Sequence, residues 1–475
     1  MDREVGVPLA APLALDILIV GGGISGLASA IALSRAGHKI LVLEQGDGEN
    51  NRREGGLRIP PNMSKILFHW GFQYQLQEIG VISHAVSLSK FETGEPLGVQ
   101  LCDPEVMKET RGEFVMTTHK ELHQMFTEIA TSLGVKIRYN ARVAMVYPAQ
   151  RQVTLHSGET LSGDMILGAD GEMGMCRSIV TGCEDESRQS IGLTLFSVML
   201  DTTGRDVPSE ILDIINHKEN PLYFAYGDGR TACGYPVRNH TCLVFHFFLP
   251  EQVSCDESPL VQLRRLLPKQ CDPRLRMIAD LALSATCIPM KDAPSVGDWV
   301  HDSGPLALVG QAAHPFIPGT LQEIALGVED GAVLGRLFSH VSNREQIGGF
   351  LWAFQELRQQ RCMAALELAS STLWYMALKN GPEQQARDRA FIAQYKLGES
   401  PFKAGPYGGD DIYWLGTVAE FAYDCEEEAD SWWMRWGVLW ERAHETGQGR
   451  LAQSQDGTFD LSSMGVSVVE TVVDS

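Results

Sequence analysis

The sequence predicts an α/β fold: a parallel-sheet domain at the N-terminus, a mixed β-sheet inserted into it, and a run of helices towards the C-terminal end. Three observations lead there. A short apolar strand, Ile17 to Val20, runs into the glycine turn GGGISG and an alanine-rich helix; the segment from Ser187 to Met290 alternates as strands do; beyond Gly331 apolar residues recur at helical spacing. A length of 475 residues exceeds what one compact core usually serves, which fits interleaved parts.

The first element carries the strongest chemical signal. In LDILIVGGGISGLASAIALSRAGHKILVLEQ the strand is followed by Gly21, Gly23 and Gly26 at GxGxxG spacing, then a helix, Gly37 as its stop, and a second apolar strand ending at Glu44. Gly21 permits a tight turn, Gly23 lets the backbone approach a pyrophosphate, and Gly26 lets helix and strand pack closely. Ile24 and Ser25 open a helix whose unpaired N–H groups face such a phosphate, and Glu44, with Gln45 beside it, is placed to accept from ribose hydroxyls. A glycine turn without a ligand needs no acid about 20 residues further on. The motif therefore reads as dinucleotide binding, without a choice between NAD and FAD. The apolar run from Ala10 to Leu33 is broken by Asp16, the glycines, Ser25 and Ser29 and lacks a basic flank, so it reads as strand, turn and helix rather than a signal peptide or membrane span.

The remaining elements follow in order. Behind a tail of residues 1–14, residues 15–85, 115–185 and 295–345 are expected to form one discontinuous domain, the second part holding the helix KELHQMFTEIATSLGV and a meander. Residues 86–114 and 186–294 are expected to form a second, mixed sheet, since GLTLFSVML, LYFAYGD, TACGYPV and TCLVFHFFL are rich in β-branched and aromatic residues. Phe224, Tyr226, Tyr235, Phe245 and Phe247 are candidates to line a pocket there, but alternation sends only about half of such residues to either face. Residues 346–446 read as helical. YDCEEEADSWWMRWGVLWER sets Trp432, Trp436 and Trp440 on one stripe, expected to pack on the body or on a partner subunit, while EEEAD opposes an anionic leaflet. Residues 447–475 are rich in Ser, Thr, Gln and Asp and are expected to be a frayed, flexible tail.

Composition narrows the partners. A formal net charge of −21 disfavours nucleic acid and anionic membranes in the absence of a localised basic patch, and the longest basic cluster is NRREGGLR. The ten cysteines are scattered, with no CxxC pair and no Cys/His spacing suited to zinc, which predicts reduced thiols, no metal and a cytoplasmic protein, monomer or homodimer.

Two later segments bring the chain to a family. MILGADGEMGMCRSIV (Met165 to Val180), with Asp170 and Gly171, and LALVGQAAHPFIPGTLQEIALGVEDGAVLG, ending in the pair Glu329 and Asp330, resemble the flavin segments of hydroxylases of the para-hydroxybenzoate and salicylate hydroxylase type. GGLRIPPNMSKIL, GYPV at Gly234 to Val237 and NGPEQQARD at Asn380 to Asp388 are further matches, so the resemblance spans roughly residues 15 to 430. It implies a class A flavin monooxygenase: a Rossmann-like, glutathione-reductase-like domain holding FAD, a sheet covering the flavin ring, NAD(P)H as reductant, and dioxygen adding at the flavin C4a position to give a hydroperoxide that attacks an electron-rich aromatic. Such proteins have no separate nicotinamide domain, and this chain has no second GxGxxG. The cofactor carries the difficult chemistry, while the protein positions ring and substrate and excludes water.

The same resemblance suggests roles for individual residues. Pro318 and Gly319 match positions at the flavin edge where oxygen is transferred; Asp170, Gly171, Gln311 and Leu321 match groups along the pyrophosphate, ribityl chain and ring; Arg58 and His119 match positions near the cofactor. Arg52 and Arg53 serve either FAD phosphates, incoming NAD(P)H or simply solvent. His314 reads as structural. No Ser/His/Asp or Cys/His arrangement points to nucleophilic catalysis; if a phenol must be deprotonated, His246 and Tyr226 are the candidate bases.

Four positions depart from the family pattern. His119 stands where an arginine is common, Ser197 occupies the first sheet strand where an arginine often binds substrate, Gln311 replaces an aspartate, and Glu323 replaces a glycine. Ser197 argues against a substrate anchored through a carboxylate. The leading expectation is hydroxylation or epoxidation of a phenol or indole in secondary metabolism; a flavin oxidase or dehydrogenase performing coupling or rearrangement, and a non-enzymatic flavin-binding protein, are the alternatives. The loop GQAAHPFIPGTLQE (310–323) is expected to run under the flavin, with the next helix aimed at the N1 and O2 end of the ring. Glu323 is expected to turn away and cap backbone N–H groups, while Gln311 holds the ribityl chain.

Overall fold

The computed structural model describes residues 10–48, 55–101, 104–182, 188–219, 221–251, 257–292, 297–397 and 419–437. It divides into one large unit, residues 1–424, and a second, residues 425–475. In the second, the described part is a helix, Cys425–Trp432, continued by a π-helical turn, Trp433–Gly437, on which Trp432 is half-buried and Trp436 exposed. Trp440 and the expected tail, 447–475, lie outside the described residues.

The large unit is a mixed α/β structure. Its first sheet is wholly parallel, in the order Leu306–Leu308, Met165–Gly168, Asp16–Val20, Lys39–Leu43, Lys136–Arg138. Ile17 to Val20 and Met165 to Gly168 are buried throughout, as expected of parallel strands covered on both faces. The cover on one side is the helix Ile24–Arg35, itself buried over most of its length. It can be so because the helix Ala325–Phe338 meets it through small residues: a Cβ added at Gly327, Gly331 or Gly335 would fall within 2.1 to 2.8 Å of Ser25, Ser29 or Ala32. Four-residue spacing puts those glycines on one face, so GVEDGAVLG encodes a close helix pair.

The second large sheet has seven strands, ordered Ala285–Lys291, Ser190–Asp201, Cys242–Pro250, Arg230–Val237, Leu222–Gly227, Ala85–Lys90, Pro96–Leu101. All neighbours are antiparallel except Leu222–Gly227 against Ala85–Lys90. Alternation along Cys242–Pro250 decides its two faces. Leu243, Phe245, Phe247 and Leu249 pack with Ile211, Leu263, Leu275 and Ile278 from the short helices behind, whereas Cys242, Val244, His246 and Phe248 face the other way. Of the five sheet aromatics singled out in the sequence, Phe245 and Phe247 are thus core residues of the rear face, and Phe224, Tyr226 and Tyr235 share the front face. Among the described residues seven cysteines are free thiols, Cys176, Cys233, Cys242, Cys362 and Cys425 buried and Cys271 and Cys287 half-buried. Among the described residues no helix is long and apolar enough to cross a membrane.

Candidate active site

The glycine turn separates what the protein needs from what a ligand would need. Gly21 has φ +107°, and a Cβ there would lie 2.4 Å from Ala169 O; a Cβ on Gly26 would lie 2.2 Å from Gly21 O. Strand and helix packing alone therefore dictates both. Gly23 differs: it is exposed, and a Cβ there would meet nothing within 4 Å. It caps the N-terminus of Ile24–Arg35 with no side-chain hydrogen bond and no acid in the first turn, leaving N–H groups available to an anion. The structure itself gives no reason for glycine at this position, and a phosphate resting on the backbone does.

Side chains around the turn hold its shape. Glu44 accepts from the N–H groups of Gly22 at 2.8 Å and Gly46 at 2.7 Å, so the acid braces two backbone loops and keeps its remaining lone pairs for a ribose. Gln45 is exposed on the same loop. His123 Nε2 lies 2.8 Å from Gly22 O, a contact that sequence reasoning missed, although the second histidine of HKELH lies one helical turn after His119. The two imidazoles stack at 6.3 Å, and the His119 N–H donates to Gly55 O. Asp170 stands directly against Gly21; its Oδ2 accepts from the Cys176 N–H at 3.0 Å, and its Oδ1 is buried with no hydrogen-bond partner among the described residues. Burial pushes the Asp170 carboxyl above its ordinary value. Gly171 follows with φ +86°. Ile24 is buried, and Ser25 is wedged where a Cβ on Gly310 or Gly327 would come within 2.2 Å of its hydroxyl, so it serves the join between two helices and a loop. Arg53, like Arg52, lies outside the described residues.

Residues 310–323 form a loop held from within. Asp330 Oδ2 accepts from the Gly310 N–H at 2.8 Å and from His314 Nε2 at 2.6 Å. Glu323 Oε2 accepts from the Gly319 N–H at 2.8 Å, which is the capping role read from the sequence. Gln311 departs from expectation. Its oxygen accepts from the Phe316 N–H at 2.9 Å and its amide reaches Glu323 Oε1 at 3.4 Å, so the side chain braces the loop rather than facing outward to a ribityl chain. The physical reason is that an amide, unlike an aspartate, offers an acceptor to one neighbour and a donor to the other.

Gly319, with φ +75°, accepts from Arg58 Nη2 at 2.5 Å. Arg58 stands 5.9 Å from the ring of Tyr235, whose hydroxyl is 2.7 Å from His246 Nε2. These residues, with Leu321 and Glu323, line one cavity between the loop and the front face of the sheet. Pro318 is half-buried beside it, and Ser197 lies on the strand next to His246. Tyr226 is not brought to the cavity: it is buried among Leu88, Leu97, Met376 and Phe391 under the Arg387 guanidinium, and burial raises its pKa far above the ordinary value. As a candidate base it is therefore corrected to a packing residue, because two neighbouring strands and the C-terminal helices cover it. His246 is in the cavity, but burial and then Arg58 lower its pKa to about 3, which makes it a poor acceptor for a phenol's proton.

Beneath the loop lies a buried charge cluster. Arg358, on the helix Gln346–Met376 and 0% exposed, donates to Asp330 at 2.9 Å and forms an ion pair with Glu329 at 2.8 Å. Glu329 also accepts from Asn62 at 2.7 Å, and Asn62 bonds Gln322. Burial opposes charge on His314, yet Cys362 and Asp330 beside it raise its pKa to about 10. His314, Asp330 and Cys362 converge within 4.8 Å, a spacing a metal could use, but Arg358 enters among them and supplies the cation.

Comparisons with known proteins agree with this layout. The family model described as FAD binding domain matches residues 14–369. FAD-dependent monooxygenase OpS4 of Beauveria bassiana is 26% identical over 391 residues, 81% of this chain and 91% of that protein. Hispidin-3-hydroxylase of Neonothopanus nambi is 28% identical over 372 residues, 73% of this chain and 86% of that protein. Among solved structures, CtdE in complex with FAD and a substrate superposes with a TM-score of 0.71 at 20% identity, covering 92% of this chain and all of that one (100%). A salicylate hydroxylase substrate complex gives 0.67 at 15% identity, covering 88% and 97%. At these identities the two structures speak for the fold.

Proposed function

The chain belongs to the FAD-binding-domain family and is a class A FAD-dependent monooxygenase; from that premise we propose that it uses NAD(P)H and O2 to hydroxylate or epoxidise a neutral, electron-rich aromatic of phenol or indole type in secondary metabolism. In this reading residues 15–85, 115–185 and 295–345 are a Rossmann-like, glutathione-reductase-like FAD domain, 86–114 and 186–294 the substrate sheet, and 346–446 the helical support. The observation that carries it is a cavity where Arg58, Gly319, Leu321 and Glu323 from the flavin segments meet Tyr235 and His246 from the sheet.

FAD, when bound, supplies the redox chemistry, taking hydride from NAD(P)H and activating dioxygen. The chain's own residues do the rest. The open backbone at Gly23 and the bare helix end at Ile24 hold the pyrophosphate, Glu44 takes ribose hydroxyls, and Asp170 stands with its backbone against Gly21 of the same turn. Arg58, tied to the Gly319 carbonyl, fixes the loop against the sheet and places a positive charge at the cavity. The N-terminus of Ala325–Phe338 follows directly, and its positive end favours an anionic reduced ring. The substrate side is uncharged where the family often has arginine: Ser197 is a hydroxyl and His246 a neutral imidazole. The sheet itself supplies no cation for a carboxylate, and Arg58 is already engaged by the Gly319 carbonyl, so a neutral aromatic suits that wall.

Purified protein provides the test. A yellow holoprotein is expected whose flavin is bleached by NAD(P)H rapidly only with an aromatic substrate present, and whose product carries label from isotopically enriched dioxygen. Reduction by the substrate itself, without nicotinamide and without label, would turn the assignment to an oxidase or dehydrogenase.

A further inference from the structure

His246 occupies the middle of Cys242–Pro250, opposite Ser197 on one neighbouring strand and Cys233 on the other, and its ring lines the cavity beside Arg58 and Gly319. The side chain is 5% exposed. One nitrogen, Nε2, meets the Tyr235 hydroxyl at 2.7 Å; the other, Nδ1, is buried with no hydrogen-bond partner among the described residues. Buried polar atoms are nearly always paired, so a partnerless one in a cavity wall marks where a ligand group belongs.

The position of the proton follows from the neighbours. Arg58 has donors only and stands with its charge over the Tyr235 ring at 5.9 Å. Beside that cation the Tyr235 hydroxyl turns its lone pairs to Arg58 and its single proton away, towards His246 Nε2 at 2.7 Å. A neutral imidazole carries one N–H, which must then sit on Nδ1. A cation as close as Arg58 also disfavours a second positive charge on the ring.

We propose that His246 is a specificity-determining residue: its Nδ1–H, fixed as a donor by Arg58 and Tyr235, hydrogen-bonds a phenol or carbonyl oxygen carried by the aromatic substrate. The proposal rests on the monooxygenase reading and adds the chemical feature by which substrate is recognised. An aromatic lacking that oxygen leaves the buried N–H unpaired, and a site built around a hydrogen bond discriminates strongly against such an analogue.

The test uses full-length FAD holoenzyme labelled with 15N-histidine, with the His246 signals assigned by their loss in His246→Gln. The wild-type spectrum is expected to show a protonated Nδ1 and a bare Nε2, and the Nδ1 signal to move on addition of 2-naphthol but not naphthalene. Tyr235→Phe, which removes the group that pins the tautomer, is expected to release the proton from Nδ1. In binding titrations His246→Leu lowers affinity for 2-naphthol about tenfold and leaves naphthalene within about twofold, while His246→Gln, keeping a donor, recovers part of the loss. A proton on Nε2, a doubly protonated ring, equal loss of both probes, or no binding of 2-naphthol overturns the proposal. A holoenzyme that shows the Nδ1 signature and the discrimination yet never oxygenates a substrate counts against the monooxygenase reading alone.

Discussion

Asp330→Asn removes one negative charge from a fully buried cluster of ion pairs. The Asp330 carboxylate is fully buried, with Oδ1 accepting from Arg358 and Oδ2 accepting from both the Gly310 N–H and His314. An asparagine keeps one oxygen, so its NH2 must face either Arg358 or the Gly310 and His314 donors, a donor–donor clash on either side. Burial pushes the Asp330 carboxyl up, but His314 and Arg358 bring it from 3.8 down to about 2, which corresponds to about 2 kcal/mol. The elevation of His314 to about 10 is the same contact seen from its other end and is not added. With the clash contributing about 1 to 3 kcal/mol, the loss comes to about 3 to 5 kcal/mol, the range for a broken buried pair. Melting should fall by about 5 °C or more, and FAD should bind more weakly because Gly310 loses its anchor. The pH dependence has a definite sign. Asp330, depressed, stabilises above its unfolded value and loses that contribution as pH falls through about 2; His314, elevated, contributes fully below 6.5 and loses it as pH rises through about 10. Wild type should therefore lose stability from neutral pH towards pH 10, and the variant should show a flatter profile, in calorimetric scans. A melting point within about 1 °C of wild type, with an unchanged alkaline limb, would refute the reasoning.

Three further outcomes are expected. Gly23→Val should leave the apoprotein's melting point within about 1 °C, since its side chain enters open space, yet weaken FAD binding at least about 100-fold by blocking the backbone from phosphate; equal damage to both would remove the ligand argument. Glu323→Gly removes the cap on the Gly319 N–H and should cost about 1 to 2 kcal/mol of stability with flavin reduction unchanged in stopped-flow traces; a several-fold faster reduction would show that the carboxylate opposes the reduced ring after all. Tyr226→Phe should leave turnover within about twofold, because the Arg387 contact uses the ring face and the hydroxyl lies away from the cavity; a hundredfold loss would restore it as a base.

The legible parts of this fold are those whose cause is local. Gly21 and Gly26 are dictated by a turn and a packing distance within a few residues and one neighbouring strand, so their spacing alone exposes them. Alternation in TCLVFHFFL gave two faces but not which one meets the loop, and only the packing of Phe245 and Phe247 on the rear helices separates them from Tyr235. Tyr226 and His246 looked equivalent as candidate bases. What distinguishes them is Arg387, 161 positions after one, and Arg58, 188 positions before the other, and such pairings leave no periodic trace. The partners of the Glu329 and Asp330 pair were hidden for the same reason: Arg358 looks like one more polar residue of a long helix until it is found fully buried.

The two departures in the loop make sense together better than apart. Replacing an aspartate by Gln311 removes a charge at the loop's start, and replacing a glycine by Glu323 restores one at its end, next to a helix N-terminus that tolerates it. The side chains then touch, amide to carboxylate at 3.4 Å, while each takes a backbone N–H of the intervening segment, Phe316 and Gly319. Neither alone could close that brace: an aspartate at 311 would repel Glu323, and a glycine at 323 would leave the Gly319 N–H without its carboxylate. A loop so tied presents the Gly319 carbonyl to Arg58 in a fixed place, and Arg58 in turn orders Tyr235 and His246. The unusual pair in the loop and the neutral histidine of the sheet are therefore ends of one chain of contacts, which under the proposed function makes the loop a contributor to substrate choice as well as to cofactor placement.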